Sequence, residues 1–256
     1  MRKLIAVAIV AIMMVGTSVS AKEWEKIRVG VEGAYSPFSW VESDGTLKGF
    51  DIEIAIALCK EIGAECVLVS QDWDGIIPAL LARKYDAIIA SMSITEERKK
   101  KVAFSEKYYN TPAKFARKKG SRITISKAGL KGKSVGVQRA TIHDNFITGE
   151  FGNSVEIKRY GTQDEAYLDA LAGRVDLLLA DSIAMEAGFL KTDNGKGWEF
   201  VGKGYSDPKY FGNGAGVALR KQNSDLTALF NKAIKSIRAN GVYKRINDKY
   251  FPFDVY

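Results

Sequence analysis

Gly30-Val31-Glu32-Gly33-Ala34-Tyr35, which follows Ile27-Arg28-Val29, is matched 106 positions later by Gly136-Val137-Gln138-Arg139-Ala140-Thr141, which follows Lys133-Ser134-Val135. A second pair of stretches repeats with it. Ala79-Leu80-Leu81-Ala82-Arg83-Lys84-Tyr85-Asp86-Ala87-Ile88-Ile89-Ala90-Ser91 aligns with Asp169-Ala170-Leu171-Ala172-Gly173-Arg174-Val175-Asp176-Leu177-Leu178-Leu179-Ala180-Asp181. Each half is thus a strand, a polar turn, a helical run and a buried strand. A repeat of this length is too long for a solenoid unit and predicts two similar lobes. In both, polar groups stand just past the carboxyl end of an apolar strand, where open α/β sheets place ligands. Two such edges facing each other make a cleft.

Outside the repeat, the ends and the composition narrow the class. Arg2 and Lys3, the apolar run Leu4 to Val15 and the small residues Val19-Ser20-Ala21 read as a secretory signal peptide over residues 1–21. An exported, soluble product starting near Lys22 is expected. Setting aside Arg2 and Lys3 leaves 36 basic against 30 acidic side chains. The basic residues are dispersed, and the densest run, Arg98 to Lys101, adjoins Glu96 and Glu97, so a solvated surface is expected rather than nucleic-acid binding. Cys59 and Cys66 are the only cysteines. In an oxidising compartment a pair so close suggests a disulfide between a helix end and the next strand, with two buried thiols as the alternative. One histidine, His143, and no ligand cluster around the cysteines leave no metal site in view.

Strand and helix signals alternate throughout, which predicts an α/β fold with mostly parallel sheets. Strands are expected at Ile27 to Val31, Val67 to Ser70, Asp86 to Ala90, Ser134 to Val137, Val175 to Ala180 and Val217 to Leu219. Asp51 is read as the N-cap of a helix to Ile62, Asp74 as the cap of one to Ala82, and Thr95 as the start of a short helix with acids in its first turn. In the second half Thr162 to Glu165 forms a capping box, and Ser224 caps a long amphipathic helix to Ala239 that Gly241 stops.

The strand-end groups are Glu32, Tyr35, Trp73, Ser91, Ser93, Thr95 and Arg98 in the first lobe, and Gln138, Arg139, Thr141, His143 and Asp181 in the second. Charges and aromatics abound and catalytic pairings are few. A guanidinium beside hydroxyls and helix-start amides suits a carboxylate. Asp181 suits an ammonium, and Glu32 a second cation. Tyr35 and Trp73 offer flat faces for an aliphatic stem or a guanidinium plane. The inventory fits a ligand with one carboxylate, one α-ammonium and a distal positive group. Each residue also has a plain structural reading: Asp181 as an N-cap, Trp73 as core, Tyr35 as turn packing, Arg98 as part of a solvated run, and His143 as a helix-surface residue. The pattern across both lobes is what favours a site.

Gly49-Phe50-Asp51-Ile52-Glu53, Trp73-Asp74-Gly75-Ile76-Ile77-Pro78-Ala79-Leu80, the run Asp86 to Arg98 and the tail Lys249 to Tyr256 carry a resemblance. Over the whole mature chain the sequence resembles the periplasmic polar-amino-acid-binding proteins of ABC importers, most of all the lysine/arginine/ornithine- and histidine-binding group (bacterial solute-binding protein family 3). The resemblance implies a two-lobed type II periplasmic-binding-protein fold, with lobe 1 from residues 22–110 and 208–256 and lobe 2 from 111–207. It implies a ligand set of Glu32, Tyr35, Trp73, Ala90, Ser91, Met92, Ser93, Arg98, Gln138, Thr141, Ile142 and Asp181. In that set Arg98 clamps the α-carboxylate with Ser93 and the loop at Thr141 and Ile142, while Ser91, Ser93 and Asp181 take the α-ammonium. Tyr35 and Trp73 would sandwich the side chain, and Glu32 would meet its far end. Cys59 and Cys66 match the group's disulfide, and hinges fall near Tyr109 to Pro112 and Asp207 to Phe211.

Four positions depart from the family pattern. Glu32 replaces a shorter Asp, Ala90 stands for Ser, Gln138 for an apolar residue, and Ile142 for Thr. What is expected is therefore a monomeric periplasmic receptor for a basic L-amino acid, arginine first, with lysine, ornithine or histidine as further ligands. It would serve an ABC permease without a cofactor. The alternatives are a dehydratase-like enzyme of the cyclohexadienyl or arogenate type on the same scaffold, for which Glu32, Asp181 and His143 are the acid or base candidates, and a chemosensory binding protein.

Overall fold

The computed structural model describes residues 24–256; the leader read at 1–21 lies outside the described residues. The chain opens with strand β1 (Lys26–Val31) and a three-stranded antiparallel flap, β2 (Ala34–Tyr35), β3 (Ser39–Val41) and β4 (Leu47–Lys48). Helix α1 (Phe50–Ile62), strand β5 (Glu65–Ser70), a 3-10 turn at Trp73–Gly75 and helix α2 (Ile76–Leu81) follow. Strand β6 (Ala87–Ile88), helix α3 (Glu96–Lys99) and strand β7 (Ala103–Tyr109) lead out of this half. The next half holds β8 (Ala113–Lys118), β9 (Lys133–Gln138), α4 (Ile142–Phe151), β10 (Val155–Tyr160), α5 (Gln163–Leu171) and β11 (Leu177–Asp181). Helix α6 (Ser182–Met185) runs into a π-helical turn at Glu186–Leu190, and β12 (Trp198–Tyr205) closes the half. Helix α7 (Pro208–Phe211) leads back to β13 (Ala215–Leu219), α8 (Ser224–Ala239) and α9 (Val242–Tyr250).

The fold is the expected two-lobed one, with one five-stranded sheet in each lobe: β5-β1-β6-β13-β7 and β10-β9-β11-β8-β12. Both sheets are mixed. In each, the first three strands of that order run parallel and the fourth, β13 or β8, is antiparallel to both of its neighbours. The reason lies in the chain path. Edge strand β7 of the first sheet leads through residues 110–112 into the reversed strand β8 of the second. Edge strand β12 of the second leads through α7 into the reversed strand β13 of the first. Two crossings therefore join the lobes beside the ends of their central strands. Gly212 shapes the second one: it sits at φ 69°, where an added Cβ would lie 2.2 Å from the Ile94 carbonyl oxygen.

Central strands buried on both faces read as apolar runs, and β11 and β13 are buried at every residue. Helix α8 packs on α1 and β7 through Leu226, Phe230, Ala233, Ile234 and Ile237, a stripe at helical spacing. Each large member of that stripe contributes roughly 1.5–3 kcal/mol by leaving water.

The predicted caps divide cleanly. Thr95 accepts the backbone N–H of Arg98 and Thr162 forms the full capping box with Glu165; Thr141, not foreseen as a cap, accepts the N–H of Asp144. Asp51, Asp74 and Ser224 do not cap; Ser224 is the first residue of α8, after Asn223. Helix α1 starts one residue before Asp51, with Gly49 in the cap position at φ 126°, where a Cβ would collide with the Phe38 carbonyl. Asp51 is therefore in the first turn, its side chain turned inward. Asp74 lies inside the 3-10 turn and pairs with Arg139 instead.

Cys59 and Cys66 are neighbouring free thiols in this structure, not a disulfide. Contact between them raises the Cys59 thiol's pKa, helped by burial, and lowers that of Cys66. The two residues are thus neighbours at the expected junction of α1 and β5, but unbridged.

Candidate ligand-binding site

A cleft lies between the sheets, walled by the segments that follow β1, β6, β9 and β11. On the first-lobe side, Glu32 follows β1, and Ala90, Ser91 and Ser93 lie just beyond β6. Ser91 and Ser93 line the cleft, while Met92 between them does not. Met92 is fully buried in the core cluster of Ile76, Leu80 and Tyr85, and of the expected ligand set it alone does not line the cleft.

Arg98 enters from α3. Its Nη1 donates to the Ser93 carbonyl at 3.0 Å, and its guanidinium lies 5.1 Å from the centroid of the Trp73 ring. It makes no ion pair among the described residues. Burial alone pulls its pKa down to about 10, so it stays charged at neutral pH. Arg98 thus belongs to the site, not to a solvated run, while its neighbour Lys99 pairs with Glu96 on the surface. Trp73 is core and wall at once: one face meets Arg98, and its indole N–H donates to the Ala140 carbonyl of the other lobe at 3.2 Å.

The second wall is β9, the start of α4 and the end of β11. Thr141 caps α4, so Ile142 and His143 stand at the helix start, where first-turn N–H groups have no partner within the helix. Asp181 does both things the sequence allowed. Its Oδ1 accepts the N–H groups of Ile183 and Ala184 at 2.8 and 3.2 Å, its Oδ2 accepts the Thr111 hydroxyl, and the residue lines the cleft. His143 is not on the helix surface. It is 7% exposed, its ring is 6.1 Å from that of Phe211, and burial followed by the Arg98 charge pushes its pKa down to about 3. It is a neutral wall of the cleft.

The walls touch. Gln138 Nε2 donates to Glu32 Oε1 at 2.5 Å and also to the Gly161 carbonyl at 3.1 Å. Arg139 pairs with Asp74 at 2.5 Å, and the Asp181 N–H donates to the Tyr35 hydroxyl at 3.4 Å. With the Trp73 bond, four polar contacts span the cleft. Its carboxylates are strained electrostatically. Burial raises Glu32 to about 7 against the opposing Gln138 hydrogen bond, and raises Asp181 to about 6 against its Thr111, Ala184 and Ile183 donors. Neither makes an ion pair among the described residues.

Sequence reasoning passed over Tyr109, Asn110, Thr111, Ala113, Phe211, Gly214 and Ala215, all of which line the cleft. They come from the two crossings and the strands beside them. The signal available for them was position: the expected hinges at Tyr109 to Pro112 and Asp207 to Phe211 run along the cleft floor. Among the described residues no cluster of His, Cys, Asp or Glu could hold a metal ion, and no helix is long and apolar enough to cross a membrane.

Residues 27–253 match the model of the bacterial extracellular solute-binding proteins, family 3. The L-arginine-binding protein of Pseudomonas aeruginosa is 49% identical over 257 residues, covering 100% of this chain and 99% of that relative. The lysine/arginine/ornithine-binding periplasmic protein of Escherichia coli is 40% identical, covering 95% of this chain and 96% of the relative. Among solved structures, an ancestral arginine-binding protein bound to arginine superposes with a TM-score of 0.82 at 36% identity, covering 89% of this chain and 98% of that one. The mixed sheets, the double crossing and the cleft between them thus have a family: the chain belongs to the bacterial extracellular solute-binding proteins, family 3.

Proposed function

We propose that this protein captures a basic L-amino acid, arginine in preference to lysine, ornithine or histidine, between its lobes and hands it to the membrane permease of an ABC importer. The observation that carries the reading is the charge layout of the cleft: a buried guanidinium faces buried carboxylates, and among the described residues none of them makes an ion pair. An α-carboxylate fits Arg98 through a charge-assisted pair, with the start of α4 adding donors. An α-ammonium fits Asp181 with Ser91 and Ser93. A distal guanidinium fits Glu32, beside the flat face of Tyr35, and its fork can use the Gln138 carbonyl oxygen as well. The names of the arginine- and lysine/arginine/ornithine-binding relatives support the same reading.

In this account residues 22–110 with 208–256 form one rigid lobe and 111–207 the other. The bends at Tyr109 to Pro112 and Asp207 to Phe211 let them close. Ligand contacts to both walls favour the closed state, in which the cross-cleft bonds form, and the permease reads that shape. Residues 1–21 direct export to the periplasm, and the receptor works as a monomer without a cofactor. Binding is favoured over dehydratase-like catalysis because His143 is held neutral against Phe211, and Glu32 and Asp181 serve better as counter-ions than as acid or base. Calorimetry of ligand-stripped protein against a panel of amino acids tests the proposal. L-arginine should bind tightest, at micromolar or lower concentration, and mass spectrometry of gently purified protein should find it. A preference for glutamate or a neutral side chain overturns the assignment.

A further inference from the structure

Asp51, the acid of the Gly49-Phe50-Asp51-Ile52-Glu53 stretch, neither caps its helix nor lines the cleft. It is 1% exposed and sits directly behind Ser91. Its Oδ2 accepts the Ser91 hydroxyl at 2.9 Å, and its Oδ1 accepts the Tyr108 hydroxyl at 2.9 Å. The Tyr108 oxygen in turn accepts the Ser91 backbone N–H at 3.1 Å. The three residues form a closed ring, which holds Ser91 at φ 52°, a left-handed backbone that a serine seldom adopts. Among the described residues Asp51 makes no ion pair.

A serine hydroxyl has one proton and two lone pairs. At Ser91 the proton is committed to Asp51, away from the cleft, so the cleft meets only lone pairs. We propose that Asp51 is the positioning residue for the ligand's α-ammonium: by taking the Ser91 proton it makes Ser91 an obligate acceptor, and it sets a negative charge one hydroxyl behind that acceptor. The inference rests on the reading that the α-ammonium lies against Ser91, Ser93 and Asp181. Burial raises the Asp51 carboxyl to about 7, opposed by the hydrogen bonds from Ser91 and Tyr108, so an incoming cation also helps it ionise.

Asp51→Asn separates this role from mere packing, because the amide has the same shape but can accept at only one of its two ends. If the NH2 faced Tyr108, that buried hydroxyl would receive two donors and lose the acceptor for its own proton. The amide therefore turns its NH2 toward Ser91, whose proton must swing into the cleft and face the ammonium. The readout compares L-arginine with 5-guanidinopentanoic acid, which is arginine without its α-amino group. In Asp51→Asn, arginine should weaken about ten- to a hundredfold, the range for a lost hydrogen bond to a charged group. The des-amino compound should weaken less than about threefold, the change left when no charged group loses a partner. Ser91→Ala should show the same selectivity, and Asp51→Asn added to it should cause little further change in the ratio. Equal losses for the two ligands, in either variant, overturn the proposal, as does unchanged arginine binding. If wild-type protein itself fails to prefer arginine over the des-amino compound, the fault lies with the placement of the ammonium rather than with Asp51.

Discussion

Glu32, just past β1, and Gln138, at the end of β9, are equivalents in the repeat, one in each lobe, and they hydrogen-bond to each other across the cleft. Ser91 and Asp181 are likewise equivalents, just past the buried strands β6 and at the end of β11. Behind them the lobes are alike. Asp86 accepts the Arg28 backbone N–H at 3.2 Å, and its counterpart Asp176 accepts the Ser134 N–H at 2.9 Å. One frame, built from backbone and a repeated aspartate, therefore carries different side chains at its rim. A symmetric rim would present two equal ends and could not orient a ligand whose ends differ. Acid against amide at one point, and hydroxyl against acid at the other, give the cleft direction. The lobes differ also behind the rim: Asp86 pairs with the buried Arg220 at 3.0 Å as well as with Arg28, whereas Asp176 pairs with a half-exposed Lys133 at 3.9 Å.

The largest break in the comparison is expected at Arg98, which has no counterpart among the second-lobe cleft residues. Arg98→Ala should weaken arginine binding by about 3–5 kcal/mol, since the ligand carboxylate would stay buried without its partner. Lys99→Ala, next in sequence but paired on the surface, should change it by less than about 0.5 kcal/mol. Calorimetry on both variants decides, and equal effects would remove Arg98 from the site.

Exchanging the equivalent pair sharpens the comparison. Glu32→Gln makes the rim symmetric, with an amide on each side. It should weaken arginine by about 2–4 kcal/mol and weaken glutamine far less, because only a distal cation needs the carboxylate. Gln138→Leu removes a neutral hydrogen-bonding group and should cost arginine about 1 kcal/mol. The ratio of arginine to glutamine affinity at fixed pH and salt is the quantity to follow. A ratio that ignores Glu32→Gln would move specificity to Asp181 or Gln138.

Much of this was legible because the repeat is a local signal. β1 matches β9 and β6 matches β11 in local pattern, and Glu32, Tyr35, Ser91, Ser93, Gln138, Thr141 and Asp181 past their ends line the cleft as expected; Thr95, spent on capping α3, and Arg139, paired with Asp74, do not. What escaped depends on distant packing. Asp51 looks like an N-cap in sequence, yet Ser91 and Tyr108 come from strands far along the chain to meet it. His143 follows a cap and reads as surface until Phe211, folded back through the second crossing, covers it. Met92 sits between two cleft serines in sequence, yet its side chain is buried in the core cluster with Ile76, Leu80 and Tyr85. The cleft floor, Tyr109 to Thr111, comes from a crossing whose path no local pattern encodes.

The cysteines mark another asymmetry, since the second lobe has none. Exported protein should hold Cys59 and Cys66 oxidised, because the two residues are neighbours and an oxidising compartment favours the bridge. The loop is short, so bridging should add roughly 2–3 kcal/mol of stability and leave arginine affinity unchanged. Titration of denatured, unreduced protein should find no free thiol; two would refute the bridge.

The smallest effect, and the one that joins both lobes, concerns pH. Glu32 and Asp51 from lobe 1 are raised to about 7 and Asp181 from lobe 2 to about 6, each chiefly by burial. Carboxyls raised in the folded state contribute stability that is fully present below their unfolded values of about 4, and lose it as pH rises through the folded values. His143, the only histidine, runs the other way. Its unfolded form takes up a proton below about 6.5 while its buried form does not, but it is one group against three and falls silent above that pH. Unliganded protein should therefore lose on the order of 1–2 kcal/mol between pH 6 and 8, an allowance for partial exposure and mutual coupling included. Arginine binding should run in the opposite direction, because a cation needs the ionised carboxylates. Its affinity should rise over the same window, with protons released on binding near pH 6.5. Thermal midpoints with and without arginine, and calorimetry in two buffers of different ionisation enthalpy, measure both. If the unliganded midpoint climbs from pH 6.5 to 8 while affinity stays flat, all three carboxyls are ionised throughout. The rim would then owe its direction to hydrogen bonding alone.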